Sequence, residues 1–200
     1  PLFKGSKANR YNADDKMPVF EVKPFDGGLL IGARRAADEY RYYWRITPWI
    51  MPWYSIIPPR AGHPLGAHAW VPIDDRHCWA WSINYHPRRS LTDAERQAMV
   101  EGKGIHVKYL PGTFVPMANK SNDYLIDRNA QRLGTSYSGV EGIAMQDASL
   151  QESMGLICDR TQENLVSTDN AIIMARNVPC DLGISECRFR YYFREFHIYT

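Results

Sequence analysis

The chain has 200 residues, of which 44% are apolar and 12% aromatic, with a formal net charge of +2 at pH 7. That length makes one domain with a sizeable core, and charges this balanced and interspersed give neither a nucleic acid nor an anionic membrane a surface to hold. No apolar run approaches the roughly 20 residues that cross a bilayer.

The first half is rich in strand signals. "MPVFEVKPF" and "LLIGARRA" flank Asp26-Gly27-Gly28, whose glycines tolerate the positive φ of a hairpin turn. "EYRYYWRIT" is dense in aromatic and β-branched residues. The prolines of "PWIMPWYSIIPPR" cannot donate ladder hydrogen bonds, so this stretch is expected as an edge strand or a bent connection. "GAHAWVPI" and "HCWAWSINY" flank Asp74-Asp75-Arg76, a second hairpin signal. Consecutive hairpins predict an antiparallel sheet.

After Tyr85 the pattern turns helical. Thr92 with Glu95 three residues on forms a capping box for "SLTDAERQAMVEGKG". "GIHVKYLPGTFVPMANKSN" is a long connection of the kind that lids sites. "DYLIDRNAQRLG" is a short helix stopped by Gly134, and residues 144–157 and 168–176 are further helical segments. Strands first and helices later give an α+β fold, with helices on one face of a curved antiparallel sheet.

The polar residues with chemical potential are few. His63 and His68 fall five apart in a Pro- and Gly-bearing stretch, so on a strand they face opposite sides and do not ligate one ion together. His77, His86, His106 and His197 are isolated and read as ordinary hydrogen-bonding histidines. Cys78, Cys158, Cys180 and Cys187 form no CxxC pattern, which suits free thiols in the cytoplasm. The six tryptophans from Trp44 to Trp81 either line an aromatic pocket or fill the inner face of the sheet. Arg34, Arg45 and Arg60 are candidates to pair with a substrate carboxylate. There is no phosphate loop, GxGxxG or Ser-His-Asp order.

One acid stands out. In "GVEGIAMQDASLQESMG", Asp147 joins Leu150, Gln151 and Met154 at offsets of three, four and seven, on what reads as an apolar helical stripe with Ile157 continuing it. A carboxylate there needs a partner, since an unpaired buried charge is costly. Free amides at a helix start, a basic side chain and a metal ion all qualify. Ser149 with Glu152 resembles a capping box, which would put Asp147 at or before the helix start, complementing the helix dipole.

"PLFKGSKANRYN", "YYWRITPW", "HAWVPIDDRHCWAW", "GKGIHVKYLPGTF", "NKSNDYLIDRNAQ", "GVEGIAMQDASLQESMG" and "DRTQENLVSTDNAIIMAR" occur in an order that resembles the catalytic half of Rieske-type aromatic-ring oxygenases, in the phthalate and phenoxybenzoate dioxygenase branch. The resemblance covers residues 1–176. Residues 177–200, with two cysteines and an aromatic-basic run, do not match it. The resemblance implies a helix-grip (START-like) fold and a non-haem Fe(II) bound by two histidines and one aspartate. Asp147 is the matching aspartate, with Gln146 and Gln151 placed to orient it. The two histidines and the Rieske [2Fe–2S] domain are expected upstream of Pro1, a chain start that suggests a fragment. Also implied are electrons from NADH through a reductase, dioxygen and an aromatic substrate as reactants, a homotrimer at full length, and hydroxylation or O-dealkylation (including demethylation) as the outcome. The alternative is a START-like module that binds a small aromatic ligand without chemistry.

Overall fold

In the computed structural model, which describes residues 7–60, 62–74 and 76–181, the strand signals form one six-stranded sheet. Its strands are β1 (Val19–Phe25), β2 (Gly28–Ala36), β3 (Tyr42–Ile50), β4 (Tyr54–Ile56), β5 (Leu65–Pro72) and β6 (Cys78–Tyr85), in the order β1-β2-β3-β4-β5-β6. Each strand lies beside its neighbour in sequence, and the ladders from β1 to β5 are antiparallel. The expected α+β class with an antiparallel sheet is what the chain adopts.

The β1–β2 hairpin turns where the sequence places it. Gly28 has φ +149°, and a Cβ there would lie 2.1 Å from the Trp49 carbonyl oxygen of β3, so the turn admits no side chain. The proline-rich stretch is bent as expected, with a cis Met51–Pro52 peptide, but it is not an edge. β3 and β4 lie inside the sheet. Pro48 is tolerated because β4 pairs only with Trp49 and Ile50, so on that side Pro48 meets no ladder among the described residues. The second hairpin signal includes Asp75, which lies outside the described residues. Around it, Asp74 accepts from the backbone of Arg76 and His77 at 2.7 and 2.8 Å.

The register sorts the side chains onto two faces. Phe20 and Val22 of β1, Leu29, Ile31 and Ala33 of β2, and Tyr43, Arg45 and Trp49 of β3 share one face. There Leu29, Ile31 and Trp49 pack against Ala171 and Ala175 of α5 (Asn170–Asp181), with Phe20, Val22, Met51 and Met174 around them. Each of the three large side chains contributes about 2 kcal/mol by burial, and the two alanines let the helix approach closely. The opposite face carries Tyr42, Trp44 and Ile46, all exposed.

α1 (Lys7–Asp14) is tied to β2 through Asp15, whose carboxylate accepts from the Ala36 N–H at 2.9 Å and whose carbonyl accepts from Arg35 Nε at 3.1 Å. At the other end of the chain, Glu163 is held between two guanidinium groups. Arg176 of α5 donates to both its oxygens at 2.6 and 3.0 Å, and Arg160 donates to one at 2.8 Å. These bonds fasten the approach to α5 onto the helix itself.

The described residues divide into two compact units, residues 85–158 forming one and those on either side forming the other. The sheet and α5 belong to the second.

Hydrogen bonds from Arg176 hold the Glu163 carboxyl at about 2, against an ordinary value of 4.5. A depressed carboxylate stabilises the fold above the unfolded value and loses that contribution as pH falls from about 4.5 to about 2. Glu163→Gln is therefore expected to cost about 2 kcal/mol near neutral pH and much less at the bottom of that window, read by urea denaturation across pH.

Candidate functional site

The 85–158 unit opens with α2 (Asp93–Val100), capped as the sequence predicts. Glu95 N–H donates to Thr92 Oγ1 at 3.2 Å and Thr92 N–H donates back to Glu95 Oε2 at 2.8 Å. Arg89 forks onto the same carboxylate with two bonds of 2.7 Å, which hold it at about 2.

The predicted helix over "DYLIDRNAQRLG" is instead two pieces. A 3-10 segment, Lys120–Leu125, precedes α3 (Arg128–Arg132). Within the first, Asp123, Tyr124 and Leu125 have φ of 51°, 53° and 53°. Three consecutive non-glycine residues in the left-handed region cost on the order of 3–6 kcal/mol. Local bonds hold the turn, since Tyr124 N–H donates to the Asn119 carbonyl at 2.9 Å and the Asn119 side chain caps Ser121 at 2.9 Å. Its result is to bury Tyr124, which is 8% exposed, against Val140 and Met145.

Gly139 leads into the next helix with φ +69°, and a Cβ there would meet the Asp127 carbonyl oxygen at 2.7 Å. α4 (Ile143–Ser153) then begins at Gly142, without a side-chain cap. Two sequence expectations are corrected here. Ser149 and Glu152 form no capping box, because Ser149 Oγ donates to the Gln146 carbonyl at 2.8 Å and Glu152 accepts from the Tyr124 hydroxyl. The stripe of Leu150, Met154 and Ile157 is not the buried face either. These residues are 59%, 42% and 49% exposed, and α4 packs instead through Met145, with Ala148 beside it. The helical spacing fixed which residues share a face but not which face is covered.

Asp147 is the fifth residue of α4, one turn past the free amides, so neither capping nor the dipole serves it. Its side chain is half-buried, and burial pushes its pKa upward. Among the described residues its carboxylate has no hydrogen-bond or ion-pair partner. Of the three partners open to it from sequence, the amides and a basic side chain are thus unavailable among the described residues. Gln146 donates its amide to the Val140 carbonyl at 3.2 Å, and Gln151 lies one turn along from Asp147, half-buried.

His106, in the same unit, departs from its sequence reading as an ordinary hydrogen-bonding histidine. Its ring is half-buried, burial lowers its pKa, and Nε2 is enclosed without a partner. No spacing or charge pattern around it signals this. The other histidines are engaged or exposed. His68 meets Ser82 Oγ at 3.3 Å and stacks on Trp70 at 4.9 Å, His77 bonds Asp74 at 2.9 Å, and His63 is exposed. His197 and Cys187 lie outside the described residues. Cys78, exposed, and Cys158, half-buried, form no disulfide among the described residues. Among the described residues no three His, Cys, Asp or Glu side chains gather closely enough to hold a metal ion by themselves.

In the sheet unit the arginines differ in environment. Arg34 lies on the open face, over the Tyr42 and Trp44 rings at 4.4 and 5.8 Å and 3.6 Å from Glu21. Arg45 lies on the covered face, and its charge, added to burial, depresses the Arg60 pKa. Of the tryptophans, Trp49 is core at 2% exposure, Trp70 carries His68, and Trp79 and Trp81 are exposed at 45% and 56%.

Comparison with known proteins matches residues 6–182 to the model of the LigXa C-terminal domain-like family. The chain belongs to that family. Over 170 residues, 80% of this chain, it is 31% identical to the 3-chlorobenzoate-3,4-dioxygenase oxygenase subunit of Comamonas testosteroni. Over 173 residues, 84% of the chain, it is 28% identical to the phthalate 4,5-dioxygenase oxygenase subunit of Pseudomonas putida. These matches span 39% and 38% of the two relatives' lengths. The chain is thus a Rieske-type oxygenase catalytic domain of the phthalate-dioxygenase-like branch, as its motifs suggested.

An unpartnered, half-buried acid carries a stability cost in its charged form. With its pKa raised in the fold, Asp147 weakens stability progressively as pH rises from the unfolded value through the folded one. In the metal-free chain, Asp147→Asn is therefore expected to raise Tm near neutral pH and to leave it unchanged at about pH 3, where both side chains are neutral.

Proposed function

We propose that residues 6–182 act as the iron-bearing catalytic domain of an aromatic-ring oxygenase, with Asp147 as the carboxylate ligand of a non-haem Fe(II). The observation that carries this reading is the half-buried carboxylate of α4, which has no hydrogen-bond or ion-pair partner among the described residues. A hard, anionic oxygen donor in that state fits a divalent cation, whose charge would offset the cost of burial. Around it, Ile143, Leu150 and Met154 form an exposed apolar collar, 45%, 59% and 42% open, which suits a helix face completed by further polypeptide.

Asp147 is the one ligand this reading assigns within the described residues. The two histidines and a [2Fe–2S] Rieske cluster are assigned to sequence outside residues 1–200. The fold in this reading is a helix-grip, with α5 gripped by the sheet. When bound, the iron supplies activation of dioxygen, with electrons from NADH through a reductase. The roles of this chain's residues are to hold and orient. Asp147 contributes charge and direction to the site. Gln151 supports Asp147 from the adjacent turn. The reaction in this reading is hydroxylation or O-dealkylation of the ring substrate by a cytoplasmic homotrimer.

In the oxygenase subunit that contains this chain, Asp147→Ala is expected to lose stoichiometric iron and turnover while the Rieske absorption stays intact. Full iron occupancy in that variant would remove Asp147 from the site. The 200-residue chain alone, offering one carboxylate, is expected to release Fe(II) on dialysis.

A further inference from the structure

α4 is held by few contacts. Met145 is its only buried residue, Ile143 and Leu150 are exposed, and Gly142 leaves its start without a side-chain cap. Met145, with Ala148 beside it, and the 3.2 Å bond from Gln146 Nε2 to the Val140 carbonyl hold the first half of the helix and leave its last turn to be fixed separately. Its second anchor comes from the left-handed turn at Asp123–Leu125, where the Tyr124 hydroxyl donates to Glu152 Oε2 in the last turn of the helix. Met145, Ala148 and Glu152, at offsets of three and seven, lie along one side of α4, against the cluster that contains Tyr124. Asp147, two residues after Met145, projects from roughly the opposite side. The two contacts together fix the angle at which the acid is presented.

From this juxtaposition we infer that Tyr124 is a positioning residue for Asp147. The backbone turns left-handed through three non-glycine residues to insert its phenol beneath α4, and the Tyr124–Glu152 bond sets the rotation of the helix and with it the direction of the Asp147 carboxylate. The inference rests on the assignment of Asp147 as an iron ligand. Strained backbone of this kind persists where the surrounding structure over-determines it, and such sites cluster at functional centres. Asp123 and Leu125 are exposed, so packing of their side chains does not account for the turn, whereas Tyr124 is its one buried side chain. The bond also differs from an ordinary capping contact. It joins residues 28 apart in sequence and links the turn to the helix that bears the acid.

The test is Fe(II) affinity of the oxygenase subunit containing this chain, measured by competition with a chelator, alongside far-UV circular dichroism and thermal melting. Tyr124→Phe removes the hydroxyl and keeps the ring in the cluster. Glu152→Ala removes the acceptor at an exposed position, and Glu152→Gln retains an acceptor oxygen. Tyr124→Phe and Glu152→Ala are expected to weaken Fe(II) binding about 10-fold or more with unchanged helical content, and Glu152→Gln by less than about 3-fold. Wild-type affinity in both Tyr124→Phe and Glu152→Ala, with only a lowered Tm, would show a structural bond and overturn the inference. Asp147→Asn serves as the control for the underlying assignment. Undiminished iron binding in Asp147→Asn refutes the ligand role itself, whatever Tyr124→Phe does, whereas loss in Asp147→Asn with none in the two clamp variants refutes only the positioning role.

Discussion

A half-buried carboxylate without a compensating group is the constraint on which the rest of this site depends. Charges so placed shift their pKa or find a partner, and Asp147 does the first in the absence of the second. The position is far enough along α4 that no backbone amide is available, and among the described residues no arginine or lysine reaches it. The contrast with other acids in the chain is sharp. Glu163 accepts bonds from two arginines, Glu95 from Arg89 and a helix cap, and Asp15 from two backbone amides, and each is held below its ordinary range. Acids that serve the fold are satisfied by it. Asp147 is left open.

Membership in the Rieske-type oxygenase family gives that openness a chemical meaning, and the proposed division of labour follows from it. In that division the helical unit carries the proposed ligand and the sheet unit carries the Leu29–Ile31–Trp49 core under α5. On the sheet, Arg45 is placed by strand alternation alone. Its register partner, Ala33, belongs to the face that receives α5, which commits the guanidinium to the covered side. A shift of one residue in that ladder would move it to the open face, where Arg34 already sits on aromatic rings.

Much of the fold was legible because its determinants are local. The Asp26-Gly27-Gly28 turn, the Thr92–Glu95 box and the alternation of β2 each act within a few residues, and each forms as read. What failed depends on longer range. The wheel of α4 groups Leu150, Met154 and Asp147 correctly, yet which side of a helix is covered is decided by what packs on it, here Tyr124 from a turn more than twenty residues earlier. That turn was illegible for a related reason. Nothing in "KSNDYLID" announces left-handed backbone, since the glycine that normally marks it is absent and the conformation is imposed by burial of one ring. His106 was invisible because desolvation leaves no trace in the residues beside it.

Left-handed Asp123–Leu125 and the half-buried, unpartnered Asp147 are each unfavourable by themselves, and both belong to the groups to which function is attributed. The favourable counterparts, the Leu29–Ile31–Trp49 core under α5 and the doubly bonded Glu163, lie where no chemistry is proposed. A sequence selected for stability alone would place Asn at position 147, relieving a buried charge, and would not force non-glycine backbone left-handed on either side of Tyr124. Keeping an acid and a tyrosine there makes sense if the fold is required to present that acid at a defined angle, at the expense of part of its own stability.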